Sequence, residues 1–99
     1  MYSQKELVVM SVKDNVGIIK EAMKKGREIL IADGESENMI NVREDIPFGF
    51  KIAIQDIKRN DIVYKYGEPI GIASMDIKKG TMVHVHNMEG FRGRGDLNV

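Results

Sequence analysis

Asp76-Ile77-Lys78-Lys79-Gly80-Thr81-Met82-Val83 is one copy of a phrase that this 99-residue chain writes several times: Asp-Ile, two spacers, a turn residue, then an apolar strand. Asp56-Ile57-Lys58-Arg59-Asn60-Asp61-Ile62-Val63 is a second copy, and Asp45-Ile46-Pro47-Phe48-Gly49-Phe50-Lys51-Ile52 a third. A degenerate fourth, Ala22-Met23-Lys24-Lys25-Gly26-Arg27-Glu28-Ile29, keeps the Lys-Lys-Gly turn and the strand after it. The self-similarity reaches further, since Lys51 to Gly67 aligns with Gly71 to Asn87 without a gap at an offset of twenty residues. Each unit is one strand–turn–strand that cannot bury its apolar face alone, so the copies are expected to pack on one another. Gly or Asn supplies the positive φ of the turn, and the flanking β-branched residues prefer extended backbone. Asp45, Asp56 and Asp76 recur at the start of each turn, which predicts Asx-type capping of turn N–H groups rather than catalysis.

Working outward, Leu7 to Val12 reads as a first strand. Asp14 or Asn15 is expected to cap a helix with apolar positions Val16, Ile18, Ile19, Ala22 and Met23, closed by Lys24, Lys25 and Gly26. Ile29 to Ala32 and Met39 to Val42 read as strands, with a hairpin turn at Asp33-Gly34 and a polar loop from Glu35 to Asn38. The later strands are expected at Lys51–Ile54, Asp61–Tyr64, Ile70–Ser74 and Met82–His86. Residues 88–99, with Gly90, Gly93 and Gly95 among charges, lack periodicity and are expected to form a flexible tail. The fold class is therefore mainly β with one short helix (α+β), a single domain over 1–99 with an internal pseudo-twofold repeat.

Composition narrows the function. A chain this short buries only roughly 60–65% of its unfolded surface, enough for a core but little for a deep enzymatic pocket. Fifteen Lys and Arg balance fifteen Asp and Glu, and aromatic residues are 6%, which argues against a nucleic-acid partner. The chain contains no cysteine, so disulfides, thiolate metal sites and thiol nucleophiles are excluded. Neither a signal-peptide layout nor an apolar run of membrane-spanning length is present. No membrane association is expected, and the expected location is the cytoplasm.

Three segments carry chemistry-bearing residues. In His84-Val85-His86-Asn87, strand alternation would put both imidazoles on one face, about 7 Å apart. They could then share a metal, or one could act as acid or base while the other binds substrate. The plain alternative is two surface histidines on an edge strand. The repeat partner of this segment is Tyr64-Lys65-Tyr66-Gly67, so the fold itself does not demand histidine there. Lys65-Tyr66-Gly67-Glu68-Pro69-Ile70-Gly71 reads first as a Gly-Glu-Pro turn, with Lys65 placed to bind an anion. Phe91-Arg92-Gly93-Arg94-Gly95-Asp96-Leu97 offers Arg92 and Arg94 to a carboxylate or a partner surface. His84 and His86 are thus the candidate catalytic or metal-ligating residues, and Lys65, Asn87, Arg92 and Arg94 the candidate substrate-binding ones.

The repeat, Lys65-Tyr66-Gly67…Ile70-Gly71, His84-Val85-His86-Asn87 and Arg92-Gly93-Arg94-Gly95-Asp96, in that order, resemble the amino-terminal SAF (β-clip) domain of the altronate and galactarate dehydratases. Asp14-Asn15-Val16 and Ile46-Pro47-Phe48-Gly49-Phe50-Lys51-Ile52-Ala53 match as well, and the resemblance spans about Asp14 to Asp96. Phe50 departs from it, standing where the family often has histidine. The resemblance implies a β-clip module serving a larger catalytic part that eliminates water from sugar acids with a divalent metal, often iron. It further implies a small subunit, inactive alone, whose His84, His86 and Lys65 complete or gate a site on a large catalytic partner, which would hold most of the metal's ligands. A sulfolactate sulfo-lyase-like subunit and a carbohydrate- or anion-binding SAF module are the alternatives. A homo-oligomer is also compatible.

Overall fold

The repeated segments find one another in pairs, and the architecture follows from that pairing. A computed structural model of the chain describes residues 2–3, 6–33 and 36–91. Its strands are β1 (Tyr2–Ser3), β2 (Leu7–Val9), β3 (Val16–Ile19), β4 (Glu28–Asp33), β5 (Ser36–Asn41), β6 (Lys51–Ala53), β7 (Ile62–Lys65), β8 (Glu68–Ala73), β9 (Met82–Val83) and β10 (Met88–Gly90). They form a five-stranded sheet in the order β1-β2-β3-β6-β9, a three-stranded sheet β10-β8-β7 and a β4-β5 ribbon. Every pairing is antiparallel.

Ile57 and Ile77, the isoleucines of two Asp-Ile phrases, meet in an isolated antiparallel bridge and exchange N–H···O=C bonds of 2.8 and 2.7 Å. Around them the bonds are reciprocal: Asn60 N–H donates to the Ala73 carbonyl at 2.9 Å, and Gly80 N–H to the Ala53 carbonyl at 2.8 Å. Met23 and Ile46 bridge the other two copies in the same way, at 2.8 and 2.9 Å. The aspartates do cap turn N–H groups, but across the bridge rather than within their own turn. Asp56 Oδ1 accepts the Lys79 N–H and Asp76 Oδ1 the Arg59 N–H, both at 2.9 Å. Asp45 Oδ1 likewise accepts the Lys25 N–H at 2.9 Å. That bond, with the Lys24 ammonium nearby, holds the Asp45 carboxyl below the usual carboxylate range. Each Asp-Ile segment runs beside the partner turn, so the partner's unpaired amide is the one its carboxylate meets.

Period-two alternation in β6 divides the interior. Ile52 enters one core with Leu7, Ile19, Met23, Ile40 and Ile46, while Ala53 enters a second with Val16, Ile57, Val63, Ala73, Ile77 and Val83. Burying one such isoleucine contributes about 1.5–3 kcal/mol. The bridging pairs therefore anchor the repeats by packing as well as by hydrogen bonds.

The expected helix is not formed; among the described residues there is no α-helix. Val16 to Ile19 are instead β3, paired with β2 (Leu7↔Ile19) and with β6 (Val16↔Ala53). The supposed helix caps are used at long range. Asp14 Oδ2 accepts the N–H groups of Met10 and Ser11 at 3.1 Å, and its Oδ1 accepts the Gly67 N–H at 2.8 Å. Asn15 Nδ2 donates to the Ile62 carbonyl and its Oδ1 accepts the Tyr64 N–H, both at 2.9 Å. Both side chains are buried and fasten the β7–β8 hairpin to the start of β3. Asn15→Ala strands two backbone groups away from water, so it should lower unfolding free energy by about 2 kcal/mol. Urea denaturation would test this, and a loss below about 0.5 kcal/mol would show the staple to be dispensable.

Other expectations shift by smaller amounts. Ser36 to Asn38, expected as loop, begin β5, paired with Ile31 to Asp33. The strand expected over Met82–His86 ends at Val83. Met88 to Gly90, assigned to the tail, form β10 against β8 (Met88↔Ala73, Gly90↔Gly71). Here the paired strand supplies the hydrogen bonds that glycine-rich composition concealed. Gly34 of the expected turn, Arg92, Arg94 and the rest of 92–99 lie outside the described residues.

Candidate functional site

Lys65 ends β7, where the chain reverses through Tyr66 and Gly67 and returns as β8, with Lys65 opposite Glu68. The turn is thus Tyr66–Gly67, not Gly-Glu-Pro. Tyr66 sits at φ 57°, a left-handed conformation that is strained for a bulky residue. The two-residue hairpin requires it, since Tyr66 and Gly67 both take positive φ between Lys65 and Glu68, and the Asp14 carboxylate accepts the Gly67 N–H. The aromatic ring stands at the hairpin tip, half exposed, with the Lys65 ammonium 5.2 Å from its centroid.

An open groove of about 690 Å³ runs from this tip to the end of β6 and the start of the last segment, with Lys51, Lys65, Tyr66, Ile70, Met88 and Phe91 along it. Lys51 pairs with Val83 across the β6–β9 ladder, so it faces the same side as the second core. Partial burial, reinforced by the nearby Lys65 charge, pushes the Lys51 ammonium below the ordinary lysine value. The consequence for stability has a definite sign. Below the lowered value both folded and unfolded chains carry the proton, and the folded state bears the full cost of the charge. Between that value and the ordinary 10.5 the unfolded chain binds more protons, so stability rises with pH. Lys51→Met should therefore be more stable than the parent at pH 7, with the gap closing as pH approaches the ordinary lysine value. Thermal unfolding across that range would test it, and a parent more stable at pH 7 would contradict it.

The histidine segment is a turn, not a strand. The Asn87 side chain makes it so: Oδ1 accepts the His84 N–H at 2.9 Å, and Nδ2 donates to the Met82 carbonyl at 2.8 Å. The His84 carbonyl accepts N–H bonds from Asn87 and Met88 at 3.1 and 2.9 Å. Asn87 is 2% exposed, so the residue expected to bind substrate is a buried post of the turn instead. With the strand ended, alternation no longer places the two rings on one face. His84 is half-buried, its ring edge-on to Phe50 at 5.0 Å, while His86 is exposed. Neither histidine lines the groove; His84 meets Phe50, which packs on the first core, whereas Lys51 faces the second. The structure therefore brings Lys65, Tyr66 and Lys51 to one groove and does not bring His84 or His86 into its lining.

Among the described residues no group of three or more His, Asp or Glu side chains could hold a metal ion. His84 and His86 do not by themselves fit a resident divalent metal. A second cavity of about 390 Å³ touches Asp14, Asn38, Asp56 and Lys79. Two of its polar side chains are engaged with the protein: Lys79 Nζ donates to Asn38 Oδ1 at 2.9 Å, and Asn38 Nδ2 to the Ile54 carbonyl at 2.8 Å. No helix among the described residues is long and apolar enough to cross a membrane.

A β-rich domain of paired Asp-Ile turns, carrying a groove with two lysines and a separate histidine turn, is the class that fold and site define. Over residues 5–90 the chain matches the family described as the altronate/galactarate dehydratase SAF domain, and it belongs to that family. It is 47% identical over 83 residues to the altronate dehydratase of Bacillus subtilis (strain 168), and 36% identical over 74 residues to that of Escherichia coli (strain K12). These matches take in 84% and 75% of this chain but only 16% and 14% of those proteins, so it spans about a sixth of their length or less. It is also 32% identical over 90 residues to the (2R)-sulfolactate sulfo-lyase subunit alpha of Chromohalobacter salexigens, covering 88% of this chain and 96% of that protein.

Proposed function

We propose that this chain is the SAF-domain subunit of a sugar-acid hydro-lyase of the altronate/galactarate type, completing or gating the active site of a separate large catalytic subunit. The observation that carries the reading is family membership combined with near end-to-end similarity to a protein itself named a subunit. That same similarity favours a second reading, a sulfo-lyase subunit that assists loss of sulfite instead of water. The site agrees with either. Both reactions remove a proton next to a carboxylate and expel a group from the neighbouring carbon. An imidazole at a partly open turn can take the proton or give one to the departing oxygen, and an ammonium can hold the carboxylate. Val85, 79% exposed between the two histidines, supports a turn that docks on a partner.

In this reading the divalent metal is held mainly by the large subunit, where it would stabilise charge on the substrate, and the complex is cytoplasmic. The architecture is taken as a β-clip with an internal pseudo-twofold axis, for which the reciprocal Ile57–Ile77 and Asp56–Asp76 bonds speak. The deciding experiment is co-expression with a large dehydratase subunit that lacks its own SAF domain, then assay on hexonates, hexarates and sulfolactate. The complex should release a 2-keto-3-deoxy acid while the purified chain releases none. Sulfite release from sulfolactate alone would select the second reading. Turnover by the chain alone, or none by any complex, would refute both.

A further inference from the structure

We propose that Lys51 and Lys65, walled by Tyr66, form a binding groove for the carboxylate end of a polyhydroxy acid. The inference rests on the functional reading above and adds a ligand-binding residue, Lys51, and a ligand chemistry to it.

Two lysines line one groove, and both are half-buried. Such an arrangement works against folding, since burial disfavours the charged form and a like charge adds to the cost. Proteins usually relieve it with a carboxylate. Among the described residues no carboxylate forms an ion pair with either lysine; the pairs formed are Lys24–Asp45 and Arg27 with Glu6 and Glu21. Glu68 lines the groove but is exposed and joins neither lysine. Two lysine charges in one groove without an ion-paired carboxylate are the pattern expected where a ligand anion supplies what is missing.

The groove's shape sets the ligand class. An anion between the two ammonium groups satisfies them with charge-assisted hydrogen bonds. The Tyr66 and Phe91 rings with Ile70 and Met88 then offer an apolar wall to the C–H face of a hydroxylated chain. A carboxylate with a carbon tail uses both features, whereas a bare inorganic anion uses only the first.

The test is titration of the purified 99-residue chain with galactarate, gluconate, neutral galactitol and inorganic phosphate. Lysine ε-methylene signals would be followed by proton–carbon NMR. Galactarate and gluconate should shift the Lys51 and Lys65 signals and raise the Lys51 titration midpoint; galactitol should do neither. Lys51→Met and Lys65→Met should each weaken binding at least about tenfold, as losing one charge-assisted partner would. Glu68→Gln should tighten it, and exposed Lys58→Met, outside the groove, should leave it unchanged. No shift with either acid, equal shifts with galactitol, or undiminished binding by Lys51→Met overturns the proposal. Phosphate binding as tightly as galactarate also overturns it, making the groove a general anion patch. If galactarate binds here but no complex is active, the functional reading fails and the groove stands. If the complex is active and Lys51→Met keeps the parent KM, the groove fails and the functional reading stands.

Discussion

Gly80→Ala is expected to cost about 3 kcal/mol of unfolding free energy, a large fraction of the roughly 5–15 kcal/mol available to a domain of this size. Gly80 sits at φ 95°, and a Cβ there would overlap the carbonyl of Asn41. The turn cannot back away cheaply. Its N–H donates to the Ala53 carbonyl at 2.8 Å, and its own carbonyl accepts the Arg43 N–H at 2.9 Å. Moving either neighbour breaks the tie between the second core and the β4–β5 ribbon. Gly26 is the internal control. It has the same φ of 95°, but an added Cβ would meet nothing within 4 Å. Gly26→Ala should therefore cost only the conformational penalty, about 1–2 kcal/mol. Paired urea denaturation curves would separate the two effects, and equal losses would mean that the Asn41 contact relaxes freely.

His86→Ala is expected to lower kcat/KM of the reconstituted complex by about 10²-fold, the usual scale for removing an acid–base group. His86 is the clean position for this test. Its ring is exposed, so alanine should change stability by no more than about 0.5 kcal/mol. His84→Ala is less easily interpreted, because His84 also packs edge-on against Phe50, and such aromatic contacts contribute about 0.5–1.5 kcal/mol. A lost limb in the pH–rate profile of His86→Ala would mark proton transfer, and a raised KM alone would mark binding. Full activity in both alanine variants would remove the histidines from the chemistry.

The turns were legible because they are local: Asp-Ile, spacers and Gly or Asn fix a reversal within a few residues. Their pairing was not. The carboxylate of Asp56 serves Lys79 and that of Asp76 serves Arg59, partners that no short window contains. The false helix has the same origin. Val16, Ile18, Ile19, Ala22 and Met23 fit a helical spacing, and Asp14-Asn15 makes a good cap. Yet three of these positions, Val16, Ile18 and Ile19, pair with residues in β2 and β6, and both polar side chains reach the β7–β8 hairpin. Local propensity yields where tertiary partners offer more. At the site, Lys65 stood out as a cation beside a turn, whereas Lys51 looked like one polar residue in an apolar strand. Its one available signal was that its repeat partner is Gly71, so a lysine there serves no need of the repeat. The strand expected through His86 is cut short because the Asn87 side chain closes a turn, a role that its place in the sequence does not announce.

The exchanged aspartate caps bear on how the chain folds. The three carboxylate-to-turn bonds span 20, 17 and 23 residues, so no turn acquires its cap until its counterpart has arrived. A lone Asp-Ile hairpin lacks both its bridge partner and its cap, and the entropy of loop closure precedes any reward. The nucleus is then a pair of hairpins rather than one, and intermediates with a single finished turn have little to stabilise them. Assembly becomes an all-or-none event that either half of the chain, cut from the other, has no means to begin.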